Sequence, residues 1–177
     1  MGHGRATLIA RAPPPAAGAC VGKAPYLVRR RAAKHIAAAH DALAAGDPAG
    51  AWRACEAALA EDPGSHDAEY LLGLMANDQK RYDLALPHLE HAATLEPRNP
   101  LTLAELGRAH HELRNRPQAE DAYRRSLEIR PDPYTEVNLA TLLRDSGRFA
   151  EATEAYQRAL AFPDLDAATR ERIQRSV

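Results

Sequence analysis

The sequence has little net charge, −1 over 177 residues, only two cysteines, and no long apolar run. Each scarcity excludes a class of protein. A near-zero balance argues against a dedicated nucleic-acid binder, which needs cations to match phosphates. Cys20 and Cys55 form no disulfide framework, since one lies in the N-terminal segment and the other on an apolar helical face. Both read as reduced thiols, which implies a reducing compartment and makes the cytoplasm the expected location. No apolar stretch approaches the ~18 residues that a membrane span requires. The start has no apolar signal core either, because Arg11 and the prolines at 13, 14 and 15 interrupt it. Ala17-Gly18-Ala19-Cys20 has the small residues of a lipoprotein cleavage site but lacks the apolar stretch before it. An acid-free, arginine-bearing start also fits an organellar transit peptide, although its prolines oppose an amphipathic helix. Lysine is scarce beside arginine in this alanine-rich chain, a bias of GC-rich bacterial genomes.

What charge there is falls unevenly. Residues 1–31 hold six basic residues (Arg5, Arg11, Lys23, Arg29, Arg30 and Arg31) and no acid; residues 32–177 hold 17 basic and 24 acidic, a net of −7. Residues 1–25 mix Gly, Pro and Ala with basic residues and show no sustained period. They bury too little apolar surface to offset ordering entropy, so a disordered basic tail is expected there. From about residue 26 long helical stretches begin, broken by Pro and Gly.

Internal repetition decides the fold class. Pro63, Pro97 and Pro131 are spaced 34 apart, as are Ala51, Ala85 and Ala119, with Ala152 following after 33. Ala58, Ala92, Ser126 and Ala159 form a third series. Leu72-Gly73, Leu106-Gly107 and Leu139-Ala140 form a fourth, with Ala38-Ala39 as its degenerate first member. Four series on one period define repeats at 32–65, 66–99, 100–132 and 133–166, inside a domain covering 26–177. Each repeat reads as two helices. In the second, Tyr70, Leu71, Leu74 and Met75 share a face over 67–79, and Ala85, Leu86, Leu89, Ala92 and Ala93 share one over 82–95. Proline stops the second helix, and Gly46 and Gly147 suit the left-handed turn between helices, where Lys80 and Arg114 stand in the middle repeats. Gly73 and Gly107 lie mid-helix at a cost of ~1 kcal/mol each. Close approach to Ala85 and Ala119 is the expected compensation, with Leu89, Tyr123 and Tyr156 filling space against the next repeat.

These residues resemble the tetratricopeptide repeat family over about 135 of the 177 residues. The match is best in the fourth repeat (Leu139-Ala140, Gly147, Phe149, Ala152, Tyr156, Ala159, Leu160) and weakest in the first, as suits a terminal repeat. The resemblance implies an all-α fold, a right-handed α-solenoid with a concave groove lined by the first helix of each pair. It also implies binding of a peptide or partner domain and no catalysis. Carried onto this sequence, the groove positions are Ile36 and His40, then Tyr70, Leu74 and Asn77, then Leu101, Arg108 and His111, then Tyr134, Asn138, Thr141 and Arg144. Family members that grip a C-terminal carboxylate use Lys and Asn in their first repeat; Ile36 and His40 stand there instead, so that clamp is absent. Asn138, Arg108 and Arg144 could hold an acidic group.

Other candidates are weaker. His88 and His91 lie three apart on a helix, but no Cys or carboxylate completes a tetrahedral set in sequence, and His111-Glu112 lacks the second histidine of a zinc-protease motif. No metal and no cofactor are expected. Trp52 follows the small Ala51 and reads as core. No phosphate loop, nucleophile elbow or paired-acid site is visible, so no enzyme is expected. At the C-terminus Leu165, Thr169, Ile173 and Val177 line a stripe, either a capping helix or the first helix of a truncated fifth repeat over 165–177. The expected function is a scaffold or adaptor for a partner protein. The alternatives are the substrate-recruiting module of a glycosyl-, sulfo- or hydroxyl-transferring enzyme, and a membrane-associated assembly factor held by the basic tail.

Overall fold

The computed structural model describes residues 26–175, so the basic tail, Cys20 and Val177 lie outside the described residues. Among these, nine helices follow one another with no strand: α1 (Tyr26–Ala44), α2 (Pro48–Glu61), α3 (His66–Asp78), α4 (Tyr82–Leu95), α5 (Pro100–Glu112), α6 (Arg116–Ile129), α7 (Pro133–Asp145), α8 (Phe149–Leu160) and α9 (Ala167–Gln174). Local chemistry sets where they start. Asp47, Asn99, Asp132 and Asp166 each accept a hydrogen bond from a backbone N–H in the first turn, satisfying donors that have no partner inside the helix. Pro48, Pro100 and Pro133 occupy the first helical position, where a missing N–H costs nothing.

The turn inside each pair ends on one residue in the left-handed region: Gly46 (φ 74°), Lys80 (59°), Arg114 (64°) and Gly147 (76°). Thus the middle repeats use the same turn as the outer ones without glycine. Each helix packs on its chain neighbours, and α3 also meets α5 as α5 meets α7, which places these three in one inner row. The result is an α-solenoid with a core shared between adjacent pairs rather than a single centre. Trp52 is half-buried between two of these clusters and donates its indole N–H to Glu56 (3.1 Å). Cys55 is fully buried, and burial pushes its thiol to about 11, so it packs as a small apolar group.

The mid-helix glycines are explained differently from the sequence reading. A Cβ on Gly73 would sit 2.5 Å from Leu89 Cγ, and one on Gly107 would sit 2.6 Å from Tyr123 Cδ1. The large residue of the same pair, not Ala85 or Ala119, fills the space the glycine leaves. The period places Ala140 opposite Tyr156 in the fourth pair, so one methyl group is tolerated there.

Between α3 and α4 a buried carboxylate is held by two histidines. Glu69 accepts from His88 Nδ1 (2.6 Å) and His91 Nδ1 (2.7 Å). The two histidines that share a helix face therefore converge on one carboxylate. The repeat places Glu136 in the same register, where it takes Arg158 Nε at 2.9 Å, and Leu103 between them. Burial pushes the Glu69 carboxyl up, but the two imidazole donors outweigh it and hold the group below the ordinary carboxylate range. A carboxyl lowered in the folded state stabilises the fold above the pH at which the unfolded carboxyl titrates. That contribution disappears as pH falls through the folded value. Replacing both His88 and His91 by Ala should cost ~1–3 kcal/mol at neutral pH, because a buried carboxylate loses its donors, and should flatten the acid limb of the stability profile. Glu69→Leu, which copies Leu103, should be nearly neutral. Urea titrations at neutral and acid pH measure both; equal stability of the double variant and the parent would refute the coupling.

Helix α9 begins with the same Asp cap as α7, and Leu165 and Ile173 are buried in the cluster formed with α7 and α8. It therefore covers the apolar face left by the fourth pair, and it does so in the register of a further first helix.

Candidate partner-binding groove

The inner row is held together by polar contacts as well as apolar ones. Asn77, at the end of α3, is buried and donates its amide to the Glu105 carbonyl (3.0 Å) and to Glu105 Oε2 (2.9 Å) on α5. Arg108, one turn on, pairs with Asp78 (2.9 Å) and Glu105 (2.9 Å). Burial raises the Glu105 carboxyl above the usual range despite the Asn77 amide and the Arg108 guanidinium. Two of the residues assigned to the groove are thus engaged in joining α3 to α5. The residue linking them, Glu105, was missed, because nothing in sequence spacing marks a carboxylate as a bridge between neighbouring helices.

Two cavities open along the row. One, about 220 Å³, is lined by Tyr70, Leu101, Glu105, Arg130, Tyr134 and Asn138, among others. The other, about 260 Å³, is lined by Arg108, His111, Asn138, Thr141, Arg144 and Arg172, among others, with Tyr123 and Tyr156 from the second helices. Asn138 on α7 belongs to both. Eight of the sequence-derived positions are therefore brought together: Tyr70, Leu101, Arg108, His111, Tyr134, Asn138, Thr141 and Arg144. Ile36 packs partly buried against the first cluster, His40 is exposed on α1, Leu74 is half-buried and Asn77 is covered. None of these four lines either cavity.

The polar groups in the cavities differ in how fully they are engaged. Thr141 Oγ1 donates to the Val137 carbonyl (2.8 Å) and lies 3.3 Å from the Tyr156 hydroxyl. The Tyr134 hydroxyl donates to Asp166 at the start of α9 (3.3 Å) while its ring is half exposed. His111 lies 3.6 Å from Asp145, and Arg144 reaches the same carboxylate only at 3.7 Å. The Asn138 amide has no hydrogen-bond partner among the described residues. Leu101 (47% exposed) and Tyr134 (50%) are two of the few large apolar side chains left open to solvent.

A stack of antiparallel helix pairs with an inner row carrying cavities defines a helical-repeat protein of the partner-binding kind. The family follows from direct matches: models described as tetratricopeptide repeat fit residues 36–100, 76–142 and 137–162. The chain belongs to the tetratricopeptide repeat family. Among curated proteins, anaphase-promoting complex subunit 6 of Dictyostelium discoideum is 40% identical over 60 residues, 34% of this chain and 7% of that protein. The chain thus matches a small fraction of that relative's length. Among solved structures, PilF of Pseudomonas aeruginosa superposes with a TM-score of 0.71 at 23% identity, over 82% of this chain and 68% of PilF. MamA of Desulfovibrio magneticus gives 0.68 at 18% identity, over 82% and 76%. A Thermobaculum terrenum O-GlcNAc transferase gives 0.65 at 24% identity, over 76% of this chain and 27% of the enzyme. At these identities the likeness shows the fold.

Proposed function

We propose that the chain is a non-catalytic scaffold or adaptor that holds an extended segment of a partner protein along α5 and α7. The observation that carries this reading is Asn138. Its amide offers both a donor and an acceptor, it has no partner among the described residues, and it stands where the two cavities meet. A peptide backbone laid across it presents one N–H and one C=O to match. Leu101 and Tyr134 beside it supply apolar surface that a bound side chain would cover, the pattern of a groove-bound segment. Arg144, more loosely engaged than Arg108, and Arg130, which lines the first cavity with no ion pair among the described residues, are cations available to set the charge preference of the segment.

The test starts from a pull-down with the intact chain, followed by calorimetry with the captured partner. Leu101→Ala, Tyr134→Ala and Asn138→Ala should each cost ~1–2 kcal/mol of binding with helical content unchanged. The pair Arg124→Ala and Arg125→Ala on α6, outside both cavities, should bind as the parent does. Loss of binding in the α6 pair with the groove variants intact would place the partner elsewhere.

A further inference from the structure

Helices α5 and α7 start at the equivalent residues Pro100 and Pro133 and lie side by side in the inner row. Their common register pairs Leu101 with Tyr134, Glu105 with Asn138, Arg108 with Thr141 and His111 with Arg144. The first two pairs line the smaller cavity and the last two line the larger. The cavities are therefore successive stations on one seam. Leu101 to Arg108, and Tyr134 to Thr141, each span about two helical turns, roughly 10 Å at 1.5 Å per residue.

The two stations differ in chemistry. The smaller has the apolar surface of Tyr70, Leu101, Ala104 and Tyr134, and its one cation, Arg130, is outnumbered by two acids, Glu105 and Asp132. The larger has three cations, Arg108, Arg144 and Arg172, against one acid, Glu112. Arg144 makes no hydrogen bond among the described residues, and its ion pair with Asp145 is long, at 3.7 Å. Arg108 Nε is a buried donor with no acceptor. Charge complementarity therefore puts an apolar side chain in the smaller cavity and a carboxylate in the larger.

The distance between stations then selects the conformation of the segment. In polyproline II, with three residues per turn and ~3.1 Å per residue, side chains i and i+3 share a face about 9 Å apart. A β-strand offers i and i+2 at only ~6.6 Å, or i and i+4 at ~13 Å. A helix spans about the right distance between i and i+7, but its backbone groups are bonded internally. Asn138, which lines both cavities, would then have no backbone group to meet. Polyproline II leaves its N–H and C=O groups free.

We infer that the segment held in the groove is a polyproline-II stretch carrying a large apolar side chain and an aspartate or glutamate three residues apart. It lies along the α5–α7 seam, with the apolar group at Leu101 and Tyr134 and the carboxylate at Arg108 and Arg144. This rests on the groove reading and adds the motif that the groove selects.

The experiment selects random dodecapeptides displayed on phage against the intact chain, then measures synthetic copies of the enriched peptides by calorimetry. Enriched sequences should share a large apolar residue and an acid three positions apart. Moving the acid to two or seven positions away, or replacing it by its amide, should weaken binding about ten-fold, the lower end of couplings between close charge pairs. Arg144→Gln should cause the same loss with the acidic peptide and none with the amide peptide. The advantage of the acidic peptide should shrink as salt rises, while Leu101→Ala should weaken both peptides equally. Acids enriched at seven positions away, or at no fixed spacing, in peptides that still need Leu101 and Asn138 would overturn the inference and leave the groove reading standing. Peptides unaffected by Leu101→Ala and Asn138→Ala, or no enrichment at all, would overturn both.

Discussion

Gly107→Leu should destabilise the protein by ~3 kcal/mol or more and lower its melting temperature by about 10 °C. A Cβ at residue 107 would already lie 2.6 Å from Tyr123 Cδ1, 2.7 Å from Cε1 and 3.1 Å from Cγ. Tyr123 is 1% exposed and among the largest fully buried side chains, so the ring has nowhere to go. A leucine would have to push α5 from α6, and that seam carries the core between the second and fourth pairs. Gly107→Ala is the control. The extra methyl already overpacks the ring, but alanine recovers ~1 kcal/mol of helix propensity, so its loss should be well below that of leucine. Tyr123→Ala, which removes the ring that fills the space beside Gly107, should relieve much of the Gly107→Leu penalty, so a double-mutant cycle should report coupling of ~1 kcal/mol or more. Additive effects would show that the glycine is needed for something other than the ring.

Pro87→Ala should stabilise the protein by ~2–3 kcal/mol and raise its melting temperature by about 5–10 °C. Pro87 is the sixth residue of α4, beyond the first turn where proline is harmless, and it is exposed, so its ring contributes no buried packing. It removes the N–H that would bond the Asp83 carbonyl, and its ring crowds that carbonyl. Asp121 and Glu154 stand at the same register in α6 and α8, so the fold does not require proline there. Thermal melting followed by circular dichroism decides the matter. An unchanged or lower midpoint would mean that the backbone Pro87 fixes is what seats His88 and His91 over Glu69, and that losing it costs as much as the recovered bond gains.

The period of 34 was visible in the sequence because stacking repeats reuses the same contacts. Small residues recur where helices approach, leucines where they bury, prolines where they stop. That regularity determined the all-α class, the number of pairs and the left-handed turn at Gly46 and Gly147, while the eight residues that meet around the two cavities were candidates through the family resemblance the repeats carry. The family resemblance, carried residue by residue, added Tyr70, Leu101 and Tyr134 as groove positions on the first helices.

Contacts between helices were decided by the tertiary structure alone, because they depend on side-chain length and direction, which a period does not carry. Asn77 and Arg108 had the right register for the groove, yet the short reach from α3 to α5 let Glu105 take both. Glu69, His88 and His91 are 19 and 22 residues apart in sequence, and only the crossing of α3 over α4 makes them one buried network. The same holds for Gly107, whose partner is the ring of Tyr123 because the side chain on the facing helix turns back into the gap. What a sequence repeats it can declare by itself; what occurs once, between two particular side chains across an interface, exists only after the helices have packed.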